Sequence, residues 1–370
     1  MDPYLHEFWG NPSSPHEFGR EARQSIEAAR ERVRLLLGAK ESSEIVFTSG
    51  GTESNNLAIK GIVHALRSRG DHIITSAVEH HSVLRACQFL EAEGFRVTYI
   101  PVDGVGRVDL GALAEAITPR TILISIMWAN NEVGTVQPID EIGKIARKHG
   151  VVFHTDAVQA AGKLPLRVEE ARVDLLSIAG HKFYGPKGVG ALYVRRERNL
   201  SSLHHGGPHE RGVRAGTENV PGIAGLGRAA ELAEQDLEAE IQGLTNLRDQ
   251  LGGEMVQALD GVRLNGHPTE RLCNTLNLSF EGTETFDLLV SLDLEGVAVS
   301  SGSACTSGNL EPSHVLAAMG LPRSSVLSSI RFSLGRNNTP EEMAHVARIV
   351  PPIVHRLRAK HAVEAQKVSS

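Results

Sequence analysis

Lys182 and Asp156 are the two residues from which the chemistry is read first. Lys182 lies in Ser177-Ile178-Ala179-Gly180-His181-Lys182-Phe183-Tyr184-Gly185, directly after an apolar run that predicts a strand. Asp156 lies in His154-Thr155-Asp156-Ala157-Val158-Gln159, directly after a second apolar run, Val151-Val152-Phe153. A lysine at one strand end and a carboxylate at another match the needs of pyridoxal 5'-phosphate. The amine condenses with the aldehyde of that cofactor. The carboxylate pairs with the pyridinium nitrogen and keeps it protonated, so the ring can act as an electron sink.

Other segments supply what such a cofactor and its substrate would need. Ser49-Gly50-Gly51-Thr52-Glu53-Ser54-Asn55 follows a strong strand signal and opens a helix. It reads as a tight strand-to-helix turn or as a phosphate site, in which glycines admit the anion and the helix start holds it. Beside Lys182 and Asp156 the phosphate reading is the stronger. His80, in Glu79-His80-His81-Ser82, closes another strand. Its imidazole can stack on a flat ring and shuttle protons, or it can belong to a helix-capping neighbourhood with Ser82 as cap. Asn130-Asn131-Glu132 closes a further strand with an amide suited to a ring substituent or a substrate carboxylate. Gln159 follows Asp156 by three residues and can donate to the cofactor's phenolic oxygen. Both amides are equally readable as turn residues. Arg331, in Ser328-Ser329-Ile330-Arg331-Phe332-Ser333, stands between apolar neighbours and needs a partner. Its fork matches a carboxylate in bidentate fashion, whether of a substrate or of an internal ion pair.

The three cysteines make no disulfide framework in a chain of 370 residues, which predicts a reducing, cytoplasmic setting. Cys87 in a helical stretch and Cys273 beside a strand read as packed thiols. Cys305, in Ser300-Ser301-Gly302-Ser303-Ala304-Cys305-Thr306-Ser307-Gly308, sits among small residues and glycines. That setting suits a loop that brings a thiol to a buried site and withdraws it, or a small residue packed in a turn. The run His204-His205-Gly206-Gly207-Pro208-His209 lacks a cysteine or carboxylate at a familiar ligand spacing. It reads as a polar loop reaching a neighbouring site, and no metal is expected.

The elements that must position these residues follow from periodicity. Short β-rich runs at 45–48, 73–75, 97–100, 122–126, 151–153 and 175–178 alternate with helical stretches at 57–66, 83–93, 110–117 and 139–149. Such alternation predicts a largely parallel sheet with helices on both faces, and ligands bind such sheets at the carboxyl ends of the strands. Phe18, Ala22, Ile26, Ala29, Val33 and Leu37 recur at helical spacing, and Gly38 stops that helix. A long helix is expected over 222–255, strands at 275–280, 297–299 and 330–333, and a helix at 285–292. A last helix starts near Pro340, with Pro351-Pro352 expected to break or kink it. The net charge of -6 argues weakly against nucleic acid as a direct partner. No apolar stretch is long enough to span a membrane. No Gly-x-Gly-x-x-Gly opens the first strand–helix turn, which counts against a dinucleotide-binding reading.

Ser-Gly-Gly-Thr-Glu-Ser-Asn-Asn, Asn-Asn-Glu-Val-Gly, Thr-Asp-Ala-Val-Gln, Gly-His-Lys and Ser-Ser-Gly-Ser-Ala-Cys-Thr-Ser occur here in this order. The chain thereby resembles the cysteine desulfurases of the NifS/IscS type, within the PLP-dependent class V aminotransferase family, over nearly its whole length. The resemblance implies an aspartate aminotransferase-like, fold-type I α/β large domain over 12–237. It also implies a smaller α+β domain formed by 1–11 and 238–370, carrying Cys305 and Arg331. Lys182 would bind the cofactor covalently and move protons at the substrate Cα. Asp156 would pair with the pyridinium nitrogen, Gln159 with the phenolic oxygen, and His80 would stack on the ring and assist acid–base steps. Thr52 with the Gly51 backbone, and His181 with the Gly180 backbone, would hold the phosphate. Thr217 would reach the phosphate of a second subunit in a homodimer. Asn131 and Arg331 would hold the carboxylate of L-cysteine. Cys305 would take its sulfur as a persulfide, leave L-alanine, and pass the sulfur to an acceptor protein such as an iron–sulfur scaffold or a thiolation protein. The pattern departs at Ala179, where members commonly carry a serine that touches the phosphate. Two alternatives share the scaffold. One is a selenocysteine lyase or other cysteine C–S lyase. The other is a weakly active binder of sulfur acceptors, prompted by the absence of the family's usual Tyr-Leu-Asp-x-Ala-Ala-Thr-Thr-Pro stretch.

Overall fold

The computed structural model describes residues 1–301 and 312–368. They divide into two compact units. The first comprises Met1–Ile100, Asp109–Trp128 and Gln137–Leu237, and the second Pro101–Val108, Ala129–Val136 and the chain from Glu238 onward.

A seven-stranded sheet organises the first unit. Its strands are β1 (Ile45–Thr48), β2 (His72–Ser76), β3 (Arg96–Ile100), β4 (Thr121–Ser125), β5 (Val152–Asp156), β6 (Leu175–Ala179) and β7 (Gly190–Val194). They lie in the order β1-β7-β6-β5-β4-β2-β3. The pairs β2–β3, β2–β4, β4–β5 and β5–β6 are parallel, whereas β7 runs antiparallel to both β6 and β1. Strands β1, β2, β4, β5, β6 and β7 are buried along their whole length, as β-branched and leucine-rich runs covered on both faces should be. The expected alternation is therefore present, with one addition. That addition is the antiparallel β7, Gly190-Ala191-Leu192-Tyr193-Val194, which follows a glycine-rich turn with no α-helix between it and β6.

Helices cover the sheet. Gly51–Ala65 follows β1, His81–Ala92 follows β2, and Ile139–His149 precedes β5. The Phe18-to-Leu37 periodicity appears as the helix Glu17–Leu37, ended by Gly38 at φ 63, whose N–H bonds the Arg34 and Leu35 carbonyls. The helix expected over 222–255 is two helices, Val220–Gln235 and Leu237–Ala258, divided at Asp236.

In the second unit a three-stranded antiparallel sheet runs β10-β9-β8, where β8 is Val262–Asn265, β9 is Thr275–Phe280 and β10 is Ser329–Ser333. Leu276, Leu278 and Phe280 of β9 and Ile330 and Phe332 of β10 pack with Leu288 and Leu292 of the helix Thr285–Leu294. Two expectations are corrected here. Residues 297–299 form no strand: Val297 and Val299 pack half-buried against this core, and pairing begins only at Ser300, bridged to Arg331. The last helix, Pro340–Val368, continues through Pro351 and Pro352. Met343, Val346 and Val350 before the prolines, and Ile353, Val354 and Leu357 after them, are buried in the same core and hold both arms of the helix. Among the described residues no helix is long and apolar enough to cross a membrane.

Candidate active site

The carboxyl ends of β5 and β6 bring the two leading residues together. Asp156 is the last residue of β5 and is in register with Ser177 of the adjacent β6. Beyond Ala179, residues Gly180–Lys182 make one tight helical turn, so Lys182 emerges just past the end of β6. The Gly180 carbonyl accepts from Phe183 N at 3.1 Å and Gly185 N at 2.9 Å, and Lys163 Nζ donates to the Lys182 carbonyl at 2.9 Å. These bonds fix the backbone while Lys182 itself is exposed. Asp156 is 5 % exposed, and its carboxylate accepts from Asn55 Nδ2 at 2.6 Å and from Val158 N at 2.9 Å. Burial pushes its carboxyl above the ordinary range, against the pull of the Val158 amide, His80, Asn55 and Lys182.

The helix Gly51–Ala65 begins beside this pair. Its cap residue, Gly50, has φ 152 and no side chain to bond the first-turn amides. A Cβ on Gly51 would stand 2.7 Å from Val158 Cγ2 and 3.5 Å from the Ala179 methyl, so glycine lets the helix start lie against the loops after β5 and β6. Thr52 is exposed at this start, as is His181 in the turn after β6. Partial loss of solvent around the ring, then the charges of Lys182 and Lys187, hold the His181 imidazole below its usual range.

His80 follows β2 as the cap of the helix His81–Ala92. Its Nδ1 accepts from Ser82 N at 3.1 Å and lies 2.8 Å from Ser82 Oγ. Asn55 Nδ2 in turn donates to that hydroxyl at 2.8 Å. The neighbouring Glu79 is fully buried, with Ser76 Oγ donating at 2.6 Å and Met127 N at 2.9 Å. Burial pushes its carboxyl up to about 8, and the Asp156 charge adds to the effect.

Gln159 is half-buried in the turn after Asp156. Thr217 is exposed after Gly216, which has φ 106. Its loop is tied down by Arg214, which donates to Glu53 at 2.8 Å. The histidines upstream pair with carboxylates: His209 with Glu218 at 3.1 Å and His204 with Glu53 at 3.9 Å. Farther along the loop, buried Glu210 receives both arms of buried Arg30, at 2.8 and 3.0 Å, and the Phe47 amide at 3.0 Å.

The second unit holds a separate cluster. Asn130 is a turn residue whose Oδ1 accepts from Glu132 N and Val133 N, leaving Asn131 half-buried at the bend. Arg331 Nη1 donates to the Asn131 carbonyl at 2.7 Å, while its buried Nε has no acceptor among the described residues. Burial lowers its pKa, with Glu132 opposing. A guanidinium short of an acceptor is prepared for an anionic group from outside. Cys305 lies outside the described residues. Cys87 and Cys273 are buried, and burial pushes the Cys87 thiol up to about 12.

Sequence reasoning misses two residues of the first cluster: Asn55 reads only as the end of a glycine-rich motif, and Ser82 reads as the helix cap, a place the structure gives to His80. The single sequence signal was their nearness to Gly51 and His80.

A sequence profile of the family described as Aminotransferase class-V matches residues 1–346. A curated relative named "Cysteine desulfurase IscS", from Dictyoglomus turgidum, is 54% identical over 358 residues, spanning 97% of this chain and 91% of the relative. Among solved structures, one titled "NIFS-LIKE PROTEIN" superposes with a TM-score of 0.90 at 39% identity, over 96% of this chain and 94% of that one. Another, titled "SspA in complex with cysteine", gives a TM-score of 0.79 at 40% identity, over 90% and 93% of the two chains.

Proposed function

The chain belongs to the class-V aminotransferases, as one of their cysteine desulfurases, and from that premise we propose how its own residues carry out the reaction. The family works with pyridoxal phosphate, and the residues of the first unit fit that group. Asp156 is a buried carboxyl whose ionisation needs a cationic neighbour, which a protonated ring nitrogen provides. The helix start at Gly51 has amides without a side-chain cap, suited to a phosphate. When bound, the cofactor supplies an aldehyde for a lysine amine and a ring that accepts the electron pair left by a broken Cα–H bond.

Lys182 would hold the aldehyde and, once released, move the proton at the substrate Cα. Asp156 would keep the ring nitrogen protonated, Gln159 would donate to the phenolic oxygen, and His80 would stack on the ring. Thr52, the Gly51 and Gly180 amides and His181 would hold the phosphate, joined by Thr217 of a second subunit in a homodimer. Arg331 and Asn131 hold the carboxylate of L-cysteine. The Cys305 thiolate attacks the substrate sulfur; an S–S bond forms, the C–S bond breaks, and L-cysteine plus the thiol becomes L-alanine plus a persulfide. An acceptor protein then takes the terminal sulfur.

The observation that carries this reading is the adjacency of Asp156 and Lys182 at the ends of two paired parallel strands. The test is to load the protein with pyridoxal phosphate, supply L-cysteine and a reductant, and measure alanine and sulfide in equal amounts. A Cys305→Ala variant should lose this turnover. Sulfide released with pyruvate and ammonia in place of alanine, undiminished in that variant, would favour direct C–S elimination.

A further inference from the structure

We propose that Asn55 and Ser82 are positioning residues that lock the His80 ring in the neutral tautomer with its proton on Nε2 and tie that ring to Asp156. The inference rests on the reading above only for its catalytic consequence; the tautomer itself follows from hydrogen-bond direction. A main-chain N–H can only donate, and that of Ser82 points at His80 Nδ1 from 3.1 Å, so Nδ1 must be the bare nitrogen. The Ser82 hydroxyl agrees. Its oxygen accepts from Asn55 Nδ2 at 2.8 Å, which leaves its own hydrogen for Nδ1, also 2.8 Å away. The second hydrogen of the same Asn55 amide goes to Asp156 Oδ2 at 2.6 Å. One amide thus faces two acceptors, a carboxylate and a hydroxyl, and its orientation is set by both. Turned over, it would present oxygen to oxygen at Asp156. Asn55 is 1 % exposed and Ser82 8 % exposed, so water competes little for these bonds. Asn55 Oδ1 is buried with no donor among the described residues, a cost the fold accepts to keep the amide turned this way.

The consequence is chemical. His80 itself is exposed apart from its pinned Nδ1 edge. A ring fixed in this way offers a hydrogen-bond donor at Nε2 and cannot take a proton at Nδ1 without breaking the Ser82 cap. His80 therefore holds a hydrogen bond at Nε2 while it stacks, and the proton movement at Cα is left to Lys182.

The experiment uses the full-length chain labelled with ¹⁵N-histidine, before and after loading with pyridoxal phosphate, at about pH 8, where an ordinary histidine is neutral. His80→Gln identifies the His80 signals among those of the 17 histidines. The expected spectrum shows a bare Nδ1 and a protonated Nε2 in both states. Ser82→Ala keeps the main-chain donor and removes only the hydroxyl, so Nδ1 should stay mostly bare with a measurable share of the other tautomer, and Ser82→Thr should restore the wild-type spectrum. In the loaded enzyme Asn55→Leu and Ser82→Ala should each lower kcat for L-cysteine about tenfold, which is about 1.4 kcal/mol, with KM nearly unchanged and the threonine variant restoring kcat. A proton on His80 Nδ1 would overturn the proposal, as would variants matching wild type in both tautomer and kcat. Failure to take up pyridoxal phosphate would overturn the cofactor reading while leaving the tautomer result standing.

Discussion

Replacing Glu79 with glutamine should change how stability depends on pH in the cofactor-free protein. Glu79 is fully buried between Ser76 Oγ and the Met127 amide, and its carboxyl is pushed from an ordinary 4.5 up to about 8. Each pKa unit corresponds to about 1.4 kcal/mol, so carrying that charge inside the fold costs on the order of 5 kcal/mol. The sign follows from which state holds the proton. Between 4.5 and about 8 the folded protein keeps Glu79 protonated while the unfolded chain has released that proton. The stabilisation is complete below 4.5 and disappears as the pH rises through about 8. Within the window Glu79 alone should make stability fall by about 1.4 kcal/mol per pH unit. The glutamine side chain keeps an oxygen for the Ser76 and Met127 donors but has no proton to lose. The slope from this group therefore vanishes, whatever constant offset the substitution adds. Urea midpoints of wild type and Glu79→Gln, measured at several pH values from about 5 to 8, read the difference directly. Asp156→Asn should lower the pH at which the Glu79 contribution ends, because the Asp156 charge adds to the displacement of Glu79, and should also remove the slope from the raised carboxyl of Asp156 itself. Parallel profiles for wild type and Glu79→Gln would refute the reasoning.

Other expectations follow from the same geometry. Arg331→Lys keeps the charge but loses the planar fork, and should raise KM for L-cysteine about 10- to 100-fold while leaving the absorption spectrum of the loaded enzyme in place. Arg30→Met takes the guanidinium fork away from the buried Glu210 carboxyl, and should destabilise the protein by about 3–5 kcal/mol in urea unfolding. Arg30→Met with Glu210→Met together should recover much of that loss. Ala179→Ser places a hydroxyl beside the helix start at Gly51 and should tighten pyridoxal phosphate binding by about 1 kcal/mol, roughly fivefold, in equilibrium titration.

The parts of the fold that could be read in the sequence are those whose signals are local. Parallel strands buried on both faces write themselves as short apolar runs, and their ends carry Asp156, Lys182, His80 and the Gly50-Gly51 turn. Gly38 marks a helix stop because only a left-handed residue closes that cap without strain. Features that depend on distant partners were not legible. The Arg30–Glu210 pair joins residues 180 apart, and the Asn55–Asp156 bond residues 101 apart. Nothing near Asn55 indicates that its amide serves a carboxylate and a histidine cap at once. Residues 297–299 have strand composition but no neighbour in register, and Pro351-Pro352 carries a break signal that the flanking buried side chains override.

The central claim is that the side chain of Lys182, rather than the neighbouring Lys163 or Lys187, holds the cofactor in front of Asp156. Reduction of the loaded enzyme with borohydride, followed by peptide mass mapping, tests this most directly. The account predicts one pyridoxyl-phosphate adduct per chain, on Lys182, and none in the Lys182→Ala variant. An adduct on Lys163 or Lys187 in the wild type, or none at all, would contradict it.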